Sequence, residues 1–243
     1  MHESPPARRP IPRRPGARAL AAAILALFAA SGCQSMWDRV RERERIFAVD
    51  MARTQAQRDQ CVQALASLDR AQARLELGTY AWESTRVRAR CYEKLGMHAL
   101  ARGHQRLIED FYSEGAPAIE RPAAPGAPGA SVLRVPGVDP FQYAPVPSAF
   151  DLEEPRFSPY ARRSKIVGRV VVAFDLNREA EPTRIRVLET PHPLLATWAM
   201  EAVARSELKK KADPSSLMPG TRYVTTFAFE WRWAEDPADP IEK

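Results

Sequence analysis

Histidine and cysteine are scarce in this chain, four of one and three of the other in 243 residues. That scarcity removes most metal and nucleophile chemistry. No Cys-x-x-Cys occurs, so neither a zinc ribbon nor a dithiol redox motif is available. His98 and His104 stand six apart and do not share a helix face as paired ligands would, and His192 sits between Pro191 and Pro193 in a turn. There is no His-Glu-x-x-His, no Gly-x-Ser-x-Gly and no phosphate-binding glycine loop. Isolated Asp and Glu residues are expected as solvated surface carboxylates. The chain is therefore read as a non-enzyme, with no cofactor, no metal site and no small-molecule substrate. Long apolar runs are missing too. The apolar stretch 19–30 has twelve residues, too few for a helix that spans a bilayer.

The formal charge of +6 points away from nucleic acid once it is divided. Five Arg and one Glu lie within residues 1–18, which leaves +2 for the chain after residue 32. A basic start, a short apolar stretch and then Ser31-Gly32-Cys33 make a secretory leader. Ala30-Ser31-Gly32-Cys33 resembles a bacterial lipobox, with Ala30 where Leu is commoner. The resemblance implies a lipoprotein that begins at Cys33 and carries acyl chains there. An uncleaved short anchor or an ordinary signal peptide is the alternative. Gln34 stands where Asp would signal retention in the inner membrane, which points to the outer membrane of a Gram-negative envelope, facing the periplasm.

With Cys33 assigned to lipid, Cys61 and Cys91 remain in an oxidising compartment and are expected to form a disulfide. In an antiparallel helical hairpin turning near Gly78, Cys61 faces about residue 94–95. The offset from Cys91 is about 5 Å at ~1.5 Å rise per residue, which a skewed crossing absorbs. Two separate buried thiols are the alternative.

Residues from about 38 to 112 read as helices. Gly78, Gly96 and Gly115 follow periodic stretches and serve as C-terminal caps, giving one long helix and two shorter ones. The run 89–112 resembles the helix-turn-helix of tetratricopeptide repeats. It makes no more than one and a half units, and a stacked solenoid needs about three, so a small helical bundle is expected. Trp82, Tyr92 and Leu107 are expected in its core rather than in a peptide groove. Residues 116–148 are rich in Pro and Gly without periodicity and read as a semi-stiff linker between two domains that move independently. The resulting map is a leader 1–32, a helical region 33–115, the linker 116–148, a C-terminal domain 149–234 and a tail 235–243.

The C-terminal domain reads strand, strand, helix, strand. Gly168, Val170, Val172, Phe174 and Leu176 share one face of the first strand, with Arg169 and Asp175 on a wetter one. Ile185 and Val187 share a face of the second. Leu195, Trp198, Ala199, Ala202 and Val203 make a helix stripe between Pro193 and Lys209. Tyr223, Thr225, Phe227, Phe229, Trp231 and Trp233 alternate along the third strand. The fold class expected is α+β, a two-layer ββαβ domain behind a small helical bundle.

Gly168-Arg169-Val170 entering the first strand, Val187-Leu188-Glu189-Thr190 leaving the second, and Ala199 and Ala202 in the helix resemble, in order and spacing, the C-terminal domain of TonB-type energy transducers over about residues 150–233. Pro159-Tyr160-Ala161 departs from that family's Tyr-Pro pair, and the hairpin 177–182 is longer than usual. The resemblance implies a binding module that meets outer-membrane receptors in TonB-related transport, a receptor segment adding as a strand to the sheet edge. The candidate edge is the third strand, Tyr223, Val224, Thr225, Thr226, Phe227, Ala228 and Phe229. The same edge is open to homodimerisation by strand exchange. The alternative is a structural envelope lipoprotein that bridges assembly partners or peptidoglycan.

Overall fold

The computed structural model describes residues 17–112, 132–135, 137–209 and 220–230, with side chains described from residue 36 onward, residue 141 excepted. The chain divides into two units, Met1–Glu44 and Arg45–Lys243. The fold class is mixed α and β: six α-helices, a five-stranded sheet and a two-stranded one among the described residues. Cys33 falls within helix α1 (Ala17–Gln57), and its side chain lies outside the described ones. No described helix is long and apolar enough to cross a membrane.

The expected long helix up to Gly78 is broken. α1 stops at Gln57 and α2 spans Cys61–Gln72. Between them Asp59 takes φ 62, Asp59 N–H donates to Ala56 C=O at 3.3 Å, and Gln60 N–H donates to Gln55 C=O at 2.9 Å. This is a Schellman closure, which usually places Gly at the left-handed position. Aspartate tolerates that conformation through its short polar side chain, so no glycine marks the break. α3 (Ala81–Lys94) closes in the same way on the expected Gly96, at φ 77, with Met97 N–H on Tyr92 C=O at 2.8 Å. α4 follows at His98–Phe111. Gly115 lies outside the described residues.

In the five-stranded sheet β4 (Gly168–Leu176) is central, antiparallel to β5 (Pro182–Thr190) on one side and to β7 (Arg222–Phe229) on the other, as the short connections require. Val170, Val172, Phe174, Leu176, Ile185 and Val187 form one face, and α6 (Pro193–Arg205) lays Leu195, Trp198, Ala199, Ala202 and Val203 on it. α6 ends four residues short of the expected Lys209. Ser206 turns extended, its hydroxyl donating to Ala202 C=O at 2.8 Å. The chain then forms β6 (Glu207–Leu208), which pairs with β3 (Phe150–Asp151). Trp231 and Trp233 lie outside the described residues.

Two features differ from the two-layer expectation. The face of β4 expected to be wetter is exposed at Arg169 but covered farther along: Val171, Ala173 and Leu188 are buried, packed against Val138 and Tyr143 and beside Val224 of the neighbouring strand. The cause is the end of the supposed linker. It pairs as β1 (Leu133–Arg134) with β5 and as β2 (Ala144–Pro145) with β7, so the strap between them passes from one edge of the sheet to the other. The second difference is that the helices after Arg45 do not form a separate domain. Tyr92, Leu100, Ala101 and Leu107 share a core with the strands and α6, within one compact unit. The segment 113–131 lies outside the described residues.

A candidate binding edge

Along β7 the ladder to β4 is complete, from Gly168 opposite Phe229 to Asp175 opposite Arg222. Among the described residues its other side is paired at Tyr223 and Val224 alone, by Ala144 and Pro145 of the parallel β2. The expectation of a wholly exposed third strand is corrected to that extent. Beyond Val224, residues 225–229 have no ladder partner on that side among the described residues. Such a length of backbone offers outward N–H and C=O groups at alternate positions. Its side chains divide by face. Tyr223, Phe227 and Phe229 are buried in the main core, Val224 packs under the strap, and Thr226 and Ala228 are exposed. A strand added here would therefore read Thr226, Ala228 and the half-buried Thr225, while the aromatics serve the core.

Gly168 fixes the far end of this edge. It takes φ 137, and a Cβ there would stand 2.9 Å from Cγ of Pro191. Both constraints demand glycine, which accounts physically for Gly168 at the strand entrance. On the outer face, paired charges hold the strands in register. Asp175 receives Arg222 at 2.7 Å and Arg184 at 3.1 Å, and Glu189 receives Arg134 and Arg169, each at 3.0 Å.

The opposite edge is closed differently. A Cβ on Gly103 of α4 would meet the Ile185 carbonyl oxygen at 3.3 Å and Met200 Sδ at 3.1 Å. From the same helix Asp110 accepts two hydrogen bonds from Arg186, both 2.8 Å, and Arg186 is raised by that carboxylate. Ile185 and Arg186 face opposite sides of β5, so a helix that reaches both runs along the edge of the strand.

Most polar groups inside the protein are engaged in structure; among the described residues Arg88 Nε and His104 Nε2 are buried without a hydrogen-bond partner. Arg88, with only 1% of its side chain exposed, donates to Glu201 at 3.2 Å, to Asp69 at 2.6 Å and to Gln72 at 2.6 Å, and Tyr92 donates to the same Glu201 oxygen at 2.6 Å. Burial works against the Arg88 cation, and Glu201, Tyr92 and Asp69 outweigh it, raising the guanidinium. The network joins α2, α3 and α6, and no motif or period in the sequence marks it. The available signal was Arg88 standing on the stripe of Ser84, Thr85, Cys91 and Tyr92, all buried. His192 is occupied at both nitrogens. Leu194 N–H donates to Nδ1 at 3.1 Å, capping α6, and Nε2 faces Glu76 at 3.2 Å. That hydrogen bond, working against burial, holds the Glu76 carboxyl below its usual range. With Nδ1 accepting, the ring proton sits on Nε2, and neither nitrogen is spare for acid–base work.

The structure brings Cys61 and Cys91 together as free thiols, both buried, in the core of α1, α2 and α3. Burial and a hydrogen bond with Cys61 push the Cys91 thiol up to about 12. Among the described residues no group of three or more His, Cys, Asp or Glu could hold a metal ion. Comparison of the chain with protein-family models, with curated proteins and with solved structures finds no match.

Proposed function

We propose that this protein is a non-enzymatic cell-envelope lipoprotein, anchored through Cys33, whose C-terminal sheet binds a periplasmic protein by strand addition along β7. One observation carries the reading. In a sheet with one edge closed by a helix and both outer strands partly paired by the strap, residues 225–229 have no ladder partner on their outer side among the described residues. The resemblance to TonB-type transducers suggests outer-membrane receptor segments as the added strand. The lipobox resemblance supports the envelope. Cys61 and Cys91 are free thiols in the structure, and thiol–disulfide exchange with an oxidised dithiol protein of that compartment, which takes up the two electrons, would close a loop of about 30 residues, worth roughly 3–4 kcal/mol in the chain-entropy model. Thiol counting on protein isolated from the envelope is expected to find neither free; two titratable thiols refute the pairing.

Two variants test the proposal. Cys33→Ser is expected to abolish incorporation of labelled fatty acid and release the protein from membranes; wild-type protein that takes up no label contradicts the lipoprotein reading. Proline at whichever of Thr225 and Thr226 turns its N–H outward deletes one intermolecular bond and spares the internal ladder. Partner binding is expected to weaken while the circular dichroism spectrum and melting temperature stay close to wild type. Binding that survives this change, and is lost on deletion of residues 34–115, makes the helices the recognition element and favours a scaffolding lipoprotein.

A further inference from the structure

A groove of about 640 Å³ opens among α1, α3 and α4, with no β7 residue in its lining. Ala56 of α1, Val87 of α3 and Ile108 of α4 give it apolar walls, and Gln57 and Gln105 stand at its sides. Its charge is uneven. Arg53, Arg86, Arg90 and Lys94 line it against Glu83 and Glu93. Most of these charges have loose partners at the rim. Arg53 pairs with Asp50 three residues away, Lys94 with Asp59, and Glu93 with His98. Arg86 lies 3.8 Å from Glu83, with its guanidinium 4.6 Å from the centre of the Trp82 ring. Exposed pairs of this kind are weak and exchange readily for a better carboxylate. Arg90 is exposed and makes no ion pair among the described residues.

Arg86, Arg90 and Lys94 recur every fourth residue along α3. On a helix that spacing places successive cations about 6 Å apart on one face. In an extended chain, residues two apart lie about 6.6 Å apart and point the same way. The two repeats match over three positions with a mismatch near 1 Å, well within the reach of arginine and lysine side chains. Gln57 and Gln105 are suited to bond the backbone of a chain lying extended, which has no internal ladder of its own.

We propose that this groove binds an extended acidic segment of a partner protein, with carboxylates at alternate positions meeting Arg86, Arg90 and Lys94. The site is separate from the β7 edge, and it would give the protein a second contact on a partner or on another envelope protein.

The test is fluorescence anisotropy on the full chain with labelled decapeptides. One is a Glu-Ser repeat, one carries the same number of Glu arranged as Glu-Glu-Ser-Ser, and one is a Lys-Ser repeat. The alternating acidic peptide is expected to bind about tenfold more tightly than the paired one, and the Lys peptide not at all. Arg90→Glu, on an exposed position, is expected to weaken the alternating peptide about tenfold or more with the melting temperature unchanged. The proline variant of β7 is expected to leave this binding intact, which separates it from the sheet-edge function. Equal binding of the two acidic peptides overturns the spacing, and binding indifferent to Arg90→Glu overturns the site.

Discussion

The two edges of the central sheet are treated in opposite ways. Along β5, α4 runs close enough that a Cβ on Gly103 would crowd the Ile185 carbonyl oxygen and Met200, and the Asp110–Arg186 pair fastens the helix on the far face. Along β7, cover consists of two residues of β2, and residues 225–229 lack a partner among the described ones. An unpaired edge is a standing invitation to other chains, and proteins normally blunt it with charge, proline, a bulge or a covering helix. Here a helix covers one edge, while the other keeps neutral Thr225, Thr226 and Ala228 in its open stretch. The difference teaches where a partner strand has room and where it has none.

Breaking the closed edge is expected to give the largest effect. Gly103→Val sets branched carbons against the Ile185 carbonyl and Met200, and α4 must lift from β5. A loss of about 2–4 kcal/mol in urea unfolding is expected, from overpacking together with the apolar contacts of Leu100 and Leu107 that move with the helix. A variant as stable as wild type would show that α4 is not pressed on this edge.

Acid sharpens the same comparison, because the closing helix carries His104. Burial, helped by the nearby Arg88 cation, lowers this imidazole to about 3, and its Nδ1–H donates to Leu100 C=O at 2.9 Å. The unfolded chain takes up a proton below about 6.5, and the folded one does not until near 3. Stability is therefore lost as pH falls across that window, by about 3 kcal/mol at pH 4 from this group alone. Urea unfolding at pH 7 and pH 4 measures the loss, and His104→Leu is expected to remove most of it, leaving what Glu76 and the other carboxylates contribute. An unchanged pH dependence in that variant refutes the assignment.

A smaller effect is expected at the entrance to the open edge. Gly168→Ala brings a Cβ to 2.9 Å from Pro191 at a φ of 137. The cost is expected to be about 1–3 kcal/mol, local to the start of β4 and the end of β7, and thermal melting measures it. A neutral result would mean that Pro191 yields freely.

The strand faces, the α6 stripe and the central place of β4 were legible because they rest on periods of two and 3.6 and on short connections. Residues 223–229 lie in a strand, as their alternation predicts, while the two cysteines, expected as a disulfide, stand as free thiols in one helical core. What escaped was structure without a period. β1 and β2 are two residues each, and the Pro-rich strap that carries them looks like any linker. Once in place, the strap covers the second face of β4 beyond Arg169 and pairs the start of β7. The break at Asp59 escaped because aspartate stood where glycine is the usual signal. The Arg88 network escaped because a single arginine on a helix ordinarily reaches water, and only the packing of α2 and α6 around α3 supplies the carboxylates that keep it inside.

Residue-resolved amide exchange of the partner-free protein tests the contrast between the edges most directly. The account predicts that the outward-turned amides among residues 225–229 exchange freely, while alternate amides of the same stretch, bonded to β4, stay protected. It also predicts that amides of residues 184–187 in β5, lying under α4, exchange at least about tenfold more slowly than the free set. Uniform protection of residues 225–229 at the level of β4 would contradict it, because that edge would then already be filled.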